Sequence, residues 1–228
     1  QARRLSANTL ASMLFHNRGT HFESVPLPDE AQLSPAFAVC VADFDGDGHE
    51  DVFLSQNFFA TQPDASRSDA GRGLWLRGDG RGGLSAVPGQ HSGIRVYGEQ
   101  RGAAVCDFDM DGRADLAVSQ NGARTVLYRN VRGQPGLRVR LAGPSTNPDG
   151  VGAAVWLTDG ARRGPQRELR AGSGYWSADS PVQVMTFAGA ATQIEVRWPG
   201  GKQVAAKLPA GAREIVVHQD GRLKVNQP

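Results

Sequence analysis

Apolar positions in this chain fall in short alternating runs separated by glycine- and aspartate-rich breaks. Ala36–Ala42 (A-F-A-V-C-V-A) and Val52–Ser55 (V-F-L-S) flank one acidic stretch; Ala103–Cys106 (A-A-V-C) and Leu116–Ser119 (L-A-V-S) flank another. These runs are too short for helices and rich in strand formers. The alternation continues through Leu137–Leu141, Val151–Thr158, Gln166–Arg170, Val182–Phe187, Gln193–Trp198, Val204–Leu208, Glu214–His218 and Leu223–Val225. Helical periodicity is absent from this half. The pattern predicts an all-β chain: strand–loop–strand units first, then a small antiparallel β-sandwich or barrel.

The acidic stretches change the picture from fold to chemistry. Asp43–Asp51 reads D-F-D-G-D-G-H-E-D and Asp107–Asp115 reads D-F-D-M-D-G-R-A-D. Each puts carboxylates at loop positions 1, 3, 5 and 9, with a glycine (Gly48, Gly112) at position 6 to permit the sharp turn. Alternate carboxylates in a tight loop converge, and each pair at 4 Å costs about 4 kcal/mol at an effective dielectric of 20. A hard cation with an all-oxygen ligand set removes that cost. An EF-hand is excluded, because the flanks are strands and position 12, where a bidentate glutamate would stand, is apolar.

The loops recur 64 residues apart, inside a shared V-x-D-F-D-x-D-G-x-x-D-x-x-x-S-Q-N. Around them Leu14-Phe-His-Asn-Arg-Gly is echoed by Leu74-Trp-Leu-Arg-Gly-Asp-Gly and Leu127-Tyr-Arg-Asn. Such a period signals a propeller or another stacked array. The loop together with the L-F-x-N-x-G segment resembles the FG-GAP or VCBS repeat, the blade unit of integrin-type β-propellers. The resemblance implies two calcium ions. One would be held by Asp43, Asp45, Asp47, Asp51 and the His49 carbonyl, the other by Asp107, Asp109, Asp111, Asp115 and the Arg113 carbonyl. Propellers close with about 4 to 8 blades, whereas residues 1–134 hold about two, so a partial propeller is expected.

Past Arg132-Gly-Gln-Pro the segments Asn147-Pro-Asp-Gly-Val-Gly-Ala, Ala171-Gly-Ser-Gly-Tyr-Trp-Ser-Ala-Asp-Ser-Pro and Val196-Arg-Trp-Pro-Gly-Gly-Lys stand out. They resemble the ASPIC/UnbV domain, here over residues 135–228. Repeats followed by that domain are the order found in the cartilage acidic protein-like family. The family supplies no settled catalytic residues to carry over.

Composition removes several classes. Net charge is +2, with only Lys202, Lys207 and Lys224 as lysines and the arginines scattered, so no nucleic-acid surface is expected. No apolar stretch is long enough to span a membrane. Gln1 opens the chain without a signal peptide, and a piece of a longer exported precursor is expected, secreted or periplasmic. Cys40 and Cys106 read as two free thiols sooner than as a disulfide. Gly78-Asp-Gly-Arg-Gly-Gly matches a dinucleotide fingerprint without the helix it needs, and reads as a β-turn. Arg77-Gly78-Asp79, the tripeptide integrins recognise, sits in the same turn. The five histidines have no zinc spacing, and no nucleophile elbow or Walker loop is present.

Two stretches offer ligand-facing candidates. Ile94–Gly102 concentrates Tyr97, Glu99 and Arg101, which read first as a blade-edge salt bridge and second as a ligand-facing rim; Ser173, Tyr175, Ser177 and Asp179 read sooner as a turn bonded to its own backbone than as a polar site. Between the units, Asn57–Gly73 is too broken for a strand, and Phe58 and Phe59 are expected to fold back on the core. Two functions follow. One is a calcium-stabilised binding module for a protein or glycan partner. The other is a calcium-dependent biosynthetic enzyme or accessory protein, with a pocket where Tyr97, Glu99, Arg101 and Asp179 converge between the two halves.

Overall fold

The computed structural model describes residues 4–226, and their regular elements are almost all strands. A hairpin, β1 (Met13–Asn17) and β2 (Phe22–Pro26), comes first. A four-stranded antiparallel meander follows: β3 (Ala36–Ala42), β4 (Asp51–Gln56), β5 (Leu74–Gly78) and β6 (Leu84–Val87). A three-stranded one comes next: β7 (Glu99–Cys106), β8 (Asp115–Asn121) and β9 (Ala123–Tyr128). Neither meander closes into a ring. Among the described residues two short helical turns, Asp29–Ala31 and Gly89–Ser92, interrupt the strands.

The acidic loops form the β3–β4 and β7–β8 connections. Both meanders also slip register at matching places, between Ala36 and Val39 and between Gln100 and Ala103. The serine of each repeated S-Q-N fills the irregularity: Ala38 N–H donates to Ser55 Oγ (2.7 Å) and Gly102 N–H to Ser119 Oγ (2.9 Å). A bulge bends the strand and leaves a backbone donor unpaired, and a nearby hydroxyl satisfies it. The two meanders share a core of Ala38, Cys40, Phe53, Ala103, Leu116 and Val118, with Ile94 and Val96 tucked in from the connection before β7. Small residues at Ala38 and Ala103 let β3 and β7 approach closely.

The second half is a sandwich of two four-stranded sheets. One runs β13 (Gln183–Met185), β10 (Leu137–Ala142), β16 (Glu214–His218), β17 (Leu223–Asn226). The other runs β12 (Arg167–Glu168), β11 (Ala154–Thr158), β14 (Gln193–Arg197), β15 (Gln203–Lys207). Val139, Ile215 and Val217 from the first face Val155, Ile194 and Val196 from the second. Full burial of such a side chain contributes about 1.5–3 kcal/mol. The expectation of a purely antiparallel domain is corrected at one pair, since β10 and β16 run parallel. Alternation reports which face is buried and not strand direction, and the long intervening chain leaves direction free. Strand 151–158 also starts later, at Ala154, because Gly150 and Gly152 take the left-handed turn (φ 70° and 84°).

The sandwich sits against both acidic loops. Gln134 N–H donates to the Asp45 carbonyl (2.9 Å), and Gly136 N–H to the Gly112 carbonyl (2.8 Å). Asn130 Nδ2 donates to the Phe44 carbonyl (2.6 Å). The chain between the halves is therefore threaded between the loops.

Candidate metal centres

The ninth residue of each loop locks it. Asp51 Oδ2 accepts from Phe44 N–H (3.0 Å) and Oδ1 from Gly78 N–H (2.8 Å); Asp115 repeats this with Phe108 (2.8 Å) and Asn130 (2.7 Å). Each carboxylate thus ties the loop's start to the strand two places along. The first residue organises the turn: Asp43 accepts from the N–H groups of Gly46 and Gly48, and Asp107 from those of Asp111 and Gly112. Gly48 and Gly112 hold φ of 90° and 84°, as the turn requires. At position 4 the backbone is left-handed in both loops, at Gly46 (φ 77°) and at Met110 (φ 62°), whose side chain is exposed.

This wiring gathers three carboxylates per loop. Asp43, Asp45 and Asp51 each bring an oxygen within 4.8 Å of the others, and Asp107, Asp109 and Asp115 do the same. Asp47 and Asp111 stand outside these triads. Asp47 accepts from Arg77 (3.0 Å) and His49 N–H (2.9 Å), and Asp111 from Arg113 Nη1 (2.8 Å). The His49 ring lies over Gly80, where a Cβ would come within 2.3 Å of Nδ1. Burial pushes the Asp51 carboxyl up to about 6, against the pull of its two backbone donors. Burial also raises Asp115; burial and then Asp47 raise Asp45. Oδ1 of Asp109 is buried with no hydrogen-bond partner. Three clustered carboxylates per loop, with burial disfavouring the charge of Asp45, Asp51 and Asp115 and with a separate orphaned oxygen on Asp109, are a donor set that a hard divalent cation fits.

The ligand-facing candidates do not converge on one pocket. Glu99 and Arg101 pair at 2.7 Å, and the guanidinium covers the Phe37 ring at 4.1 Å. Tyr175 meets Phe37 edge-on, with centroids 6.0 Å apart. Phe58 also packs on Phe37 beneath Arg101, while Phe59 lies under Arg67. Tyr97 is largely exposed. Asp179 is farther along β7, where Oδ1 accepts from Val105 N–H (2.8 Å). The 173–180 turn bonds itself, through Ser173 N–H to the Ser177 carbonyl and Ser177 Oγ to the Ser173 carbonyl. It then straps onto β7, where Ser180 N–H reaches the Val105 carbonyl. A cavity of ≈ 220 Å³ lies under this strap, lined by Asp149, Arg167, Arg170, Ser173, Asp179 and Gln183 among others. Cys40 and Cys106 are free, and burial pushes the Cys40 thiol up to about 12.

Residues 143–224 match the family model described as ASPIC and UnbV. The ASPIC and UnbV segment spans most of the sandwich and includes the 173–180 strap. Cartilage acidic protein 1 of Homo sapiens is 27% identical over 216 residues, covering 90% of this chain and 32% of that protein. Cartilage acidic protein 1 of Mus musculus is 28% identical over 211 residues, covering 87% of this chain and 31% of that protein. The chain therefore spans about a third of the length of these relatives. Both matches extend well beyond the ASPIC and UnbV segment. Among the described residues no helix is long and apolar enough to cross a membrane.

Two structural residues escaped sequence reasoning. Asn57 is fully buried at φ 83°, its amide donating to the Gly71 and Gly98 carbonyls and its Oδ1 accepting from Gly71 N–H. Its counterpart Asn121 donates to Glu99 Oε2 (2.6 Å). The signal was the repeated S-Q-N at the end of β4 and of β8, which marks a recurring tertiary role.

Proposed function

We propose that the chain is a calcium-stabilised interaction module of an extracellular or periplasmic protein, two partial FG-GAP-type blades carrying an ASPIC and UnbV domain. The observation that carries this reading is the pair of acidic triads at equivalent places in two repeated strand–loop–strand units. Asp43, Asp45, Asp51 and Asp107, Asp109, Asp115 would hold the ions, with Asp47, Asp111 and the carbonyls of His49 and Arg113 completing the shells on small loop adjustments. Calcium, when bound, supplies charge neutralisation that ties neighbouring strands together. An extracellular setting fits sites of modest affinity, because calcium there is millimolar, and the similar curated proteins are named for cartilage. The partner would be a protein or a glycan.

A calcium-dependent biosynthetic enzyme or accessory protein is the second reading, with the cavity under the strap as its substrate site. Two of its charged groups are already engaged, Asp179 on Val105 N–H and Arg167 on Glu50 (2.6 Å), which favours the module. Calorimetric titration of chelator-stripped protein with calcium tests the main reading. Two equivalents are expected, with Asp45→Asn and Asp109→Asn each removing one. Full stoichiometry in either variant would overturn the ligand set. At a hundredfold excess over Kd each site adds about 2.7 kcal/mol of stability.

A further inference from the structure

The two loops carry the same four carboxylates but face different cations. Among the described residues, two guanidinia touch the first loop: Arg77, 2.5 Å from Asp45 and 3.0 Å from Asp47, and Arg167 of the sandwich, 2.6 Å from Glu50, a carboxylate outside the triad whose place in the second loop is taken by Ala114. Three touch the second. Arg129, the counterpart of Arg77, pairs with Asp109; Arg113 lies 2.8 Å from Asp111; and Arg138 pairs with Asp107. Arg138 differs in kind from the other two. It comes from β10 in the sandwich, its side chain is only 8% exposed, and its Nε is fixed by Glu214 (2.8 Å), the residue opposite it in β16. At the matching carboxylate of the first loop the sandwich supplies a neutral donor, the Thr186 hydroxyl on Asp43 Oδ2.

We propose that the sandwich sets the two loops to unequal affinities for a divalent cation, with Arg138 the positioning residue that makes the second site weaker by about tenfold or more. The inference rests on the calcium reading of the loops. A cation entering the second loop must share Asp107 with a buried positive charge or drive that charge away. Sharing brings like charges together where screening is poor, and displacement leaves a buried guanidinium with one carboxylate instead of two. Thr186 imposes neither cost, since a hydroxyl can stay beside a carboxylate that also binds metal. Arg129 cannot explain the difference, because Arg77 mirrors it. Arg113 lies on Asp111, which joins the shell only on loop adjustment, and its side chain is 27% exposed, so its charge is better screened than that of Arg138.

The test is calorimetric titration with calcium of the chelator-stripped full chain carrying Asp45→Asn, which reads the second loop, or Asp109→Asn, which reads the first. The second loop is expected to show a Kd about ten times higher or more. Adding Arg138→Gln should bring it toward the first loop's value, and should leave the first loop's Kd unchanged in the Asp109→Asn background. Equal affinities in the two single variants overturn the inference, even if Arg138→Gln fails to fold by circular dichroism. A folded Arg138→Gln protein with an unchanged second site also overturns it. Absence of any binding in both loops overturns the calcium reading itself and this inference with it.

Discussion

Glu99 opens β7 almost fully buried, and both of its oxygens are engaged. Oε1 accepts from Phe59 N–H (2.8 Å) and pairs with Arg101 (2.7 Å), and Oε2 accepts from Asn121 (2.6 Å). The Phe59 N–H, helped by Asn121 and Arg101, holds the carboxyl down to about 2. Because the folded value lies below the unfolded one, the unfolded chain takes up the proton first. The stabilisation is therefore full above the unfolded value of about 4.3 and is lost as pH falls toward about 2. Urea midpoints of the native protein and Glu99→Gln should differ most above pH 5 and converge as pH drops toward 2. A gap independent of pH would mean that ionisation of Glu99 is not what stabilises this corner. The sequence flagged Glu99 and Arg101 and offered an edge salt bridge as one reading, which is the arrangement found. It did not reveal Phe59 N–H or Asn57, because both act through contacts made only once the Asn57–Gly73 excursion folds back on the inner strands.

The strands flanking the acidic loops and most of those in the sandwich were legible from alternation, and the loop turns from their glycines; the expected Gln166–Arg170 and Val182–Phe187 shrink to Arg167–Glu168 and Gln183–Met185. How elements dock was not legible, since spacing says nothing of what lies across an interface. Gly48 shows the difference: beyond its φ of 90°, a Cβ there would lie 2.3 Å from Ala188 N, in the backbone of the sandwich. Gly160, with φ 95°, has nothing within 4 Å. Gly160→Ala should lower stability by about 1–2 kcal/mol, the conformational cost alone. Gly48→Ala should cost clearly more, because backbone must shift as well. Equal losses in thermal or urea denaturation would show that the first loop does not press on the sandwich. The parallel pairing of β10 with β16 is the other element-scale feature hidden from the pattern, since the same alternation serves either direction.

At the scale of the whole chain, Arg132-Gly-Gln-Pro marks a change of pattern and is expected as a linker. It is wired into both acidic loops through Gln134 and Gly136, so its accessibility should follow theirs. Arg132 is exposed and offers trypsin a cut ahead of Gly133. Cleavage there should be slow with calcium and accelerate in chelator, leaving a C-terminal fragment that begins at Gly133. Equal rates in the two conditions would separate the linker's order from the loops' metal. The acidic repeats stop where the sandwich alternation begins, and that change of pattern is legible in the sequence. Their mutual contact was not, because it runs through Thr186 and Arg138, which carry no motif.

The β10–β16 pairing also imposes an order on biosynthesis. Arg138 and its partner Glu214 stand 76 residues apart, so at about 5–20 residues per second the first strand of the sandwich leaves the ribosome about 4–15 s before its central neighbour exists. During that interval the second acidic loop is already complete, and Asp107 is the one carboxylate of the pair available to the Arg138 guanidinium. The nascent sandwich can be held at its upstream neighbour before its own sheet has closed.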